Sequence, residues 1–328
     1  MKKIVNISFT GFWNNFDYKT FLPFQLLSQH YDVRLSDSPD ILFCSIFDGY
    51  SFCKYDCIRV FCTSECYYPD MNLFDYAISI TNIKAGDRVF QLPYFMYVSD
   101  INELSKRRII TRAEIASKKK FCNFVYLHSS EVRDNVFRLL STYKKVDSAG
   151  RYMNNMDGFT PGDRTKVTGI SNTPKIQFQS QYKFSIACEN YQYEDYVTEK
   201  LIHAYMARTV PIYWGDPNVC NIFNPKSFIN VSDFSSDEEL LDKIKEIDND
   251  ENLFLSILNE PVFKDSNYVS QKIEKLDVFI CSIADNKDVI RRPLNYNANE
   301  LNNWMVSMDA ERHDVFLKYY RILKRKLL

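Results

Sequence analysis

The amino-acid sequence predicts an α/β protein made of two strand–helix–strand domains in tandem. Short apolar runs of buried-strand length alternate with segments that carry apolar residues at helical spacing, a pattern typical of parallel sheets covered by helices. The pattern occurs on each side of a charged stretch at residues 104–120. With 328 residues, 45% of them hydrophobic and 25% charged, the chain is long enough to form two hydrophobic cores.

The first domain begins with a predicted strand rather than a secretory signal. Its opening apolar stretch is interrupted by Asn6, Ser8 and Thr10, and no small-residue cleavage site follows. No run approaches the roughly 20 apolar residues of a membrane-spanning helix. Further buried strands are predicted at 41–47, 58–62 and 76–80, with a helix at 21–31.

The second domain repeats this alternation. Strands are predicted at 121–127, 183–188, 210–214 and 228–231, and helices at 130–140, 196–207, 237–247 and 252–258. The glycine-containing segment 149–169 is predicted to be a long loop, and such loops are often functional. We therefore place an N-terminal domain at 1–115, a C-terminal domain at 118–285 and a helical tail at 286–328.

Charge and cysteine usage narrow the class of protein. Forty-one basic and forty-two acidic side chains leave a net charge of −1, which argues against broad binding to nucleic acid. Five of the nine cysteines fall between Cys44 and Cys66, but their spacing lacks the pairs of a zinc knuckle and no histidine lies nearby. We interpret them as free thiols of a cytoplasmic protein, expect no metal site, and expect the D-x-D sequence at 248–250 to be solvated.

The end of the chain is basic and amphipathic. Five cations crowd the last eleven residues between apolar side chains: Lys318, Arg321, Lys324, Arg325 and Lys326. A helix of this kind suits anionic lipid headgroups, where lipid-linked glycans are presented, so we expect a peripheral position on the inner face of the cell membrane. A helix packed back on the fold, or a solvated end, is an equally good interpretation.

The segment at 182–215, YKFSIACENYQYEDYVTEKLIHAYMARTVPIYWG, is the most informative part of the sequence. We expect a buried strand to carry Glu189 and Asn190 at its carboxyl end. A helix is expected to begin near Asp195, because aspartate is a good N-cap residue. The free N–H groups and the dipole of a helix N-terminus favour anions, so this turn is a candidate phosphate site.

Two side chains of that helix, Glu199 and Lys200, are candidate ligands of a nucleotide. Tyr196, Glu199 and Lys200 are spaced i, i+3 and i+4, which places them on one side of a helical turn. Lys200 is a candidate phosphate ligand, and Glu199 is a candidate ligand of ribose hydroxyls. From spacing alone, the simpler interpretation is an ordinary amphipathic helix with Val197 and Leu201 inward and the Glu-Lys pair in water.

This segment closely resembles the signature of the α-1,3-fucosyltransferases, glycosyltransferase family ten. That signature is approximately F-x-I-A-F-E-N-x(4)-D-Y-V-T-E-K-x(3)-A-x(5)-V-P-I-Y-x-G. Residues 195–200 (DYVTEK) and 210–215 (VPIYWG) match it at every position, and the similarity continues through NPKSF at 224–228. Cys188 stands where the family usually has phenylalanine, and the heptad repeats of some bacterial members are absent.

The resemblance implies a GT-B fold, in which two Rossmann-like domains face each other across a cleft. The first domain then binds mainly the acceptor, and the second binds GDP-fucose. By likeness of motif, Asn190, Tyr196, Glu199 and Lys200 fall on donor-binding positions. Arg133, near the start of the first helix of the second domain, matches an arginine that neutralises the pyrophosphate, and its fork suits two phosphate contacts.

The resemblance also implies a catalytic base in the first domain. Glu65 follows a predicted buried strand, and the family has a glutamate after a similar strand, followed by a run like NLFDYA at 72–77. Glu65 is therefore the candidate general base, with Asp70 and Asp75 as the next candidates. Without the resemblance, a solvated loop carboxylate is the better interpretation of Glu65.

The expected reaction is inverting transfer of L-fucose from GDP-β-L-fucose to O3 of N-acetylglucosamine in a Galβ1-4GlcNAc unit, giving a Lewis x type product. Arg133, Lys200 and a helix dipole would stabilise the leaving GDP, so we expect no cofactor or metal to be required, and stimulation by a divalent cation is left open. Two alternatives remain: a same-fold transferase with α-1,4 linkage or another donor, and a non-catalytic protein that binds a sugar nucleotide or a glycan.

Overall fold

A computed structural model describes residues 2–292 of the chain, except 50, 64, 66, 82, 99, 108 and 157–173. Its first sheet contains six parallel strands in the order β2-β1-β3-β4-β5-β6. The strands are β1 (Ile4–Thr10), β2 (Asp32–Leu35), β3 (Ile41–Cys44), β4 (Ile58–Cys62), β5 (Tyr76–Ser79) and β6 (Val89–Gln91). The predicted strands are confirmed as β1, β3, β4 and β5, and the predicted helix is α1 (Leu22–His30).

The second sheet contains five parallel strands in the order β11-β10-β9-β7-β8. The strands are β7 (Lys120–Phe124), β8 (Val146–Ser148), β9 (Tyr182–Cys188), β10 (Val210–Trp214) and β11 (Ile229–Asn230). The other helices are α2 (Arg112–Ala116), α3 (Glu131–Ser141), α4 (Pro174–Gln179), α5 (Glu199–Met206), α6 (Asp237–Asn249), α7 (Glu251–Leu258) and α8 (Tyr268–Asp285). The α/β prediction is confirmed for both sheets.

Each sheet has a point at which the strand order reverses direction. In the first sheet the chain runs outward from β1 to β2 and then returns to β3, on the other side of β1. In the second sheet the same reversal lies between β7 and β9. Open parallel sheets bind their ligands beyond the carboxyl ends of the strands at such a reversal. The topology therefore indicates one ligand-binding edge for each sheet.

The two compact units differ from the predicted domain boundaries at 115–118 and 285–286. One unit comprises Met1–Gln91 together with the chain from Leu276, and the other comprises Leu92–Lys275. The segment after residue 91 belongs to the second unit because Phe95 is buried there. The Phe95 N–H donates to the Val197 carbonyl at 3.2 Å, and its ring packs on Phe223 at 5.1 Å.

The segment after residue 275 belongs to the first unit because two contacts hold it there. The ring of Phe279 packs against Phe90 at 5.5 Å. The fully buried carboxylate of Asp75 accepts hydrogen bonds from the N–H groups of Arg291 at 2.7 Å and Arg292 at 2.9 Å, and it pairs with the Arg292 guanidinium. The predicted tail at 286–328 is therefore anchored through its first residues, and the predicted basic helix lies outside the described residues.

The D-x-D sequence is folded into the second unit, so the prediction that it is solvated is wrong for its first residue. The buried Asp248 carboxylate pairs with Lys144 at 2.5 Å and Lys183 at 2.8 Å. Burial alone raises the pKa of Asp248, but the hydrogen bonds from the two lysines outweigh it and lower the pKa. Asp250 accepts from the N–H groups of Asn252 and Leu253 and so caps α7.

Within the described part of the chain, no helix is long and apolar enough to cross a membrane. Cysteines Cys44, Cys62, Cys122 and Cys188 lie in strands as buried free thiols, as the sequence predicts.

Candidate active site

The carboxyl edge of the second sheet is organised around Glu189, the first residue after β9. Its side chain is fully buried. One carboxylate oxygen accepts from the Thr198 N–H at 2.7 Å, and the other accepts from the Lys200 ammonium at 2.9 Å. The Thr198 hydroxyl lies within hydrogen-bond distance of both oxygens, at 2.9 and 2.7 Å. A buried charge is tolerated when it is paired and hydrogen-bonded in this way.

The contacts of Glu189 also decide where α5 begins. The N-cap is Thr198, and the helix starts at Glu199, so the prediction of Asp195 as N-cap is wrong. Asp195 instead adopts a left-handed turn with φ of 64°, and Tyr196 is buried ahead of the helix rather than on its first turn. The N-terminal turn of α5 nevertheless lies at the carboxyl edge of the sheet, as an anion site requires.

Lys200 lies between two carboxylates, and its side chain is only 12% exposed. Its ammonium is 2.9 Å from Glu189 and 3.8 Å from Glu199. Burial acts to lower the pKa of Lys200, but the charges of Glu189 and Glu199 outweigh it and raise the pKa. Lys200 is therefore a fixed cation over the whole physiological range of pH.

Glu199 is held in its charged form by neighbouring cations. Burial alone raises the pKa of this carboxyl, but Lys200 and Lys175 outweigh it and lower the pKa to about 2. Lys175 is half-buried on α4, and burial lowers the pKa of its ammonium. Glu199 is thus an acceptor-only carboxylate, the form that accepts hydrogen bonds from sugar hydroxyls.

Arg133 is buried on the first turn of α3, close to the reversal between β7 and β9. Its guanidinium lies over the Tyr126 ring at 3.9 Å. It donates to the carbonyls of His128 at 2.9 Å and Cys188 at 3.2 Å, and to the Asn190 side-chain oxygen at 2.7 Å. Its Nε has no hydrogen-bond partner among the described residues. Arg133 therefore orients Asn190, and its Nε–H is uncommitted among the described residues.

Gly215 is the last residue of the VPIYWG run, and its surroundings leave no space for a side chain. A Cβ atom there would lie 2.6 Å from the Glu189 Cγ and 2.7 Å from the Tyr213 hydroxyl. That hydroxyl accepts from the Asp216 N–H at 2.9 Å, which fixes the turn after β10. The backbone at Gly215 thus packs directly on the buried anchor of the site.

The carboxyl edge of the first sheet is open and aromatic. Four side chains in the loops after β1, β3 and β4 are strongly exposed: Trp13 (45%), Phe47 (52%), Tyr67 (57%) and Tyr68 (60%). The loops after β1 and β3 are joined, since the Phe47 N–H donates to the Gly11 carbonyl at 2.8 Å. These two loops flank the reversal point of the sheet. We refer to these four residues as the aromatic edge.

The candidate bases of the first unit have different environments. Glu65 is exposed in the loop directly after β4, and its N–H donates to the Thr63 hydroxyl at 3.1 Å. The prediction of Asp75 as an alternative base is wrong, because its carboxylate is fully buried and accepts hydrogen bonds from Arg291 and Arg292. Asp70 accepts from the N–H of Asn72 at 2.9 Å and from its side-chain amide at 3.0 Å, so it closes a turn.

The structure thus brings Arg133 together with Asn190, and Glu199 together with Lys200, at one sheet edge. Sequence reasoning placed Glu189 correctly at the strand end but did not recognise it as the anchor. It missed Lys175, which lies more than twenty positions before Glu199 in the sequence and belongs to no motif. Two signals pointed to Glu189: its position directly after a predicted buried strand, and the glutamate that the family signature has at this position.

A helix N-terminus, fixed cations and a charged carboxylate lie together at the reversal of a parallel sheet, an arrangement that suits a nucleotide sugar, and the chain contains a second parallel sheet. A solved α1,3-fucosyltransferase with GDP-fucose is similar with a TM-score of 0.70 and 26% identity, over 89% of this chain and 94% of that one. The protein is therefore a glycosyltransferase of the GT-B fold class.

The family follows from two sequence matches. Residues 115–304 match the family model for the C-terminal part of glycosyltransferase family 10 (fucosyltransferase), and residues 7–98 match the α-(1,3)-fucosyltransferase FucT N-terminal domain. The chain belongs to glycosyltransferase family 10, which confirms the predicted α-1,3-fucosyltransferase class.

This chain covers different shares of the length of its relatives. The α-(1,3)-fucosyltransferase FucT of Helicobacter pylori is 28% identical over 94% of this chain and 72% of its own length. GDP-fucose protein O-fucosyltransferase 3 of Homo sapiens is 30% identical over 57% of this chain, which spans only 39% of that protein.

Proposed function

We propose that the protein transfers L-fucose from GDP-β-L-fucose to O3 of N-acetylglucosamine in a Galβ1-4GlcNAc-type glycan, with inversion at the anomeric carbon. The observation that carries the donor assignment is the network of Glu189, Thr198 and Lys200 at the start of α5. This network fixes a cation and a helix N-terminus at the reversal point of the second sheet. Both features favour a diphosphate.

Each site residue has a role in donor binding that follows from its chemistry. Lys200 and the first N–H groups of α5 contact the diphosphate, and Glu199 accepts hydrogen bonds from ribose hydroxyls. Arg133 places a buried positive charge beside the site and holds Asn190 against the donor. Tyr196 is buried beside this turn and provides packing for the nucleotide.

The chemical step is a displacement at the anomeric carbon. The acceptor oxygen forms the new glycosidic bond, while the bond between the anomeric carbon and the phosphate oxygen breaks and leaves its electron pair on GDP. Lys200 and Arg133 stabilise the charge that develops on that oxygen, so the step needs no metal ion. Glu65 takes the proton of the acceptor hydroxyl, and its position in the loop directly after β4, at the carboxyl edge of the first sheet, supports this role.

The aromatic edge supports a glycan acceptor on the first unit. Sugar rings have apolar C–H faces that pack on aromatic rings, and exposed aromatics at a ligand-binding sheet edge are otherwise costly to leave in water. Trp13 and Phe47 come from the joined loops after β1 and β3, and Tyr67 lies two residues beyond Glu65. An acceptor on this edge would place its hydroxyls near the proposed base.

Product analysis tests this function. Purified protein is incubated with GDP-fucose and either Galβ1-4GlcNAc or Galβ1-3GlcNAc, and the linkage in the product is determined. We expect fucose on O3 of the first acceptor. Product on O4 of the second acceptor alone would overturn the O3 assignment, and GDP release from other sugar donors would overturn the donor assignment. If GDP-fucose binds but fucose is transferred to no glycan, the alternative of a non-catalytic binding protein would be favoured.

We also propose that the enzyme acts in the cytoplasm beside a membrane that presents lipid-linked glycans. The basic end of the chain supports this location through its cations and interleaved apolar residues. Sedimentation with anionic vesicles compares the full chain with a truncation after residue 308. Equal binding by the two proteins would exclude the tail as the membrane contact.

A further inference from the structure

Three potential metal ligands of different chemistry meet in the first unit, at the end of α1. The His30 Nε2 lies 2.9 and 3.1 Å from the two carboxylate oxygens of Asp277. The Cys281 sulfur lies 3.8 Å from one of those oxygens. All three ligand atoms lie within 4.8 Å of one another.

Secondary structure explains why the three groups converge. Asp277 and Cys281 are four residues apart on α8, so their side chains share one face of the helix. His30 is the last residue of α1, where the negative end of the helix dipole favours a cation. The Tyr31 hydroxyl donates to the Cys281 carbonyl at 3.3 Å, which fixes the end of α1 against α8.

We propose that His30, Asp277 and Cys281 form a binding site for Zn²⁺. Zinc bonds of about 2.0–2.3 Å at tetrahedral angles place ligand atoms about 3.4–3.5 Å apart. The separations of 2.9 and 3.8 Å lie on either side of that value, and the third pair, His30 Nε2 and Cys281 Sγ, lies within 4.8 Å, so side-chain movements of about 1 Å complete the geometry. The His30 side chain is 47% exposed, which leaves the fourth position open to water.

The donor set selects the metal. Magnesium and calcium take oxygen ligands, whereas a set of imidazole, carboxylate and thiolate suits zinc. Binding replaces the proton of the Cys281 thiol, which leaves to solvent, and the two negative ligands then balance the charge of the ion. Asp285, one turn further along α8 than Cys281, is engaged with Lys3 at 3.4 Å.

A metal here would have a structural role separate from fucosyl transfer. It would join α1 to the part of α8 that belongs to the first unit, and so fasten the returning end of the chain. The alternative is a surface ion pair between His30 and Asp277 with Cys281 as a neighbour. The two alternatives differ in whether the sulfur is a ligand.

Cobalt provides a spectroscopic probe of that sulfur. The reduced full-length protein is titrated with Co²⁺ alone, and we expect one equivalent to produce a thiolate-to-cobalt charge-transfer band and tetrahedral visible bands. Cys281→Ser should abolish the charge-transfer band. His30→Ala should weaken Co²⁺ binding at least about tenfold. Cys53→Ser, which removes another half-buried thiol of the same unit, is the matched control and should keep the band.

Competition and stability complete the test. Zn²⁺ should displace Co²⁺ stoichiometrically and raise the melting temperature of the wild type but not of Cys281→Ser, whereas Mg²⁺ should do neither. A wild-type protein without a charge-transfer band, an unchanged band in Cys281→Ser, or unchanged affinity in His30→Ala would each overturn the proposal. GDP affinity is measured alongside, and it should be the same in all variants, since no proposed donor ligand is changed.

Discussion

The carboxyl edges of the two sheets have the same topology but opposite physical character. The edge of the second sheet carries Glu189 fully buried and Lys200 nearly so, joined at 2.9 Å. At the carboxyl edge of the first sheet, Glu65 and the four side chains of the aromatic edge are exposed to solvent. The edge of the second sheet is therefore charged, and its charged groups are paired with one another. The edge of the first sheet is mainly aromatic and exposed.

This difference shows what each ligand demands of the fold. A diphosphate has invariant charge, so cations can be fixed in advance and need no reorganisation when the donor binds or the leaving group departs. A glycan presents neutral hydroxyls and C–H faces, which an open aromatic surface can bind in more than one way. We infer that donor recognition is built into the core, whereas acceptor choice is set by surface loops.

The strongest test of the comparison is Glu65→Gln on the open edge. Loss of a general base should slow transfer about 10²–10⁴-fold. The amide keeps the shape of the side chain, so GDP affinity measured by calorimetry should stay at the wild-type value. A variant that transfers fucose at the wild-type rate would remove Glu65 from the mechanism.

On the charged edge, Lys200→Met should affect stability as well as binding. The sequence suggests a phosphate ligand or a lysine in water, but in the structure the removal of Lys200 leaves the Glu189 carboxylate buried without a cation. Breaking a buried pair costs about 3–5 kcal/mol in the free energy of unfolding. The double variant Glu189→Gln/Lys200→Met should recover most of that stability in denaturant unfolding, while GDP affinity stays low. Equal stability of the single and double variants would contradict the pairing.

A smaller effect is expected from Gly215→Ala, which introduces a methyl group 2.6 Å from the Glu189 Cγ. Overpacking of this kind costs about 1–3 kcal/mol, and displacement of Glu189 should also weaken GDP binding. Gly49→Ala is the control, since no atom lies within 4 Å of its Cβ position and any cost comes from its φ of 68° alone. The control should leave GDP affinity intact.

Trp13→Ala tests the role of the aromatic edge of the first sheet in acceptor binding. Loss of one aromatic face should weaken acceptor binding by about 1 kcal/mol, which corresponds to a rise of about fivefold in the acceptor KM. The KM for GDP-fucose should not change, because the donor contacts are unaffected. An equal rise in both KM values would argue against an acceptor role for the aromatic edge.

The smallest expected effect is on the pH dependence of donor binding. Burial opposes ionisation of Glu199, but Lys200 and Lys175 lower its pKa to about 2 from 4.5. A lowered folded pKa means that the stabilisation is complete above the unfolded value and is lost only as pH falls toward 2. The ratio of GDP affinities of wild type and Glu199→Gln should therefore be constant between about pH 5 and pH 8. A ratio that changes in this range would show that Glu199 titrates there.

Sequence reasoning was most successful where burial leaves a local signal. β3 and β4 are buried on both faces and are apolar at every position except Arg59, whereas β2 is half exposed and β8 has only three residues, so neither was predicted. The start of α5 was placed too early because Asp195 is a good cap by type. The actual cap, Thr198, is selected by a contact with Glu189, which no local pattern encodes.

The hydrogen bonds that Asp75 accepts from Arg291 and Arg292 have a consequence for synthesis of the chain. The second unit is complete once Lys275 has left the ribosome, but the first still lacks the segment that its buried carboxylate requires. The unit translated first therefore finishes folding last, and until then the Asp75 carboxylate lacks its hydrogen bonds from Arg291 and Arg292. A released chain truncated after residue 290 should contain a protease-resistant second unit and a first unit that is still cleaved.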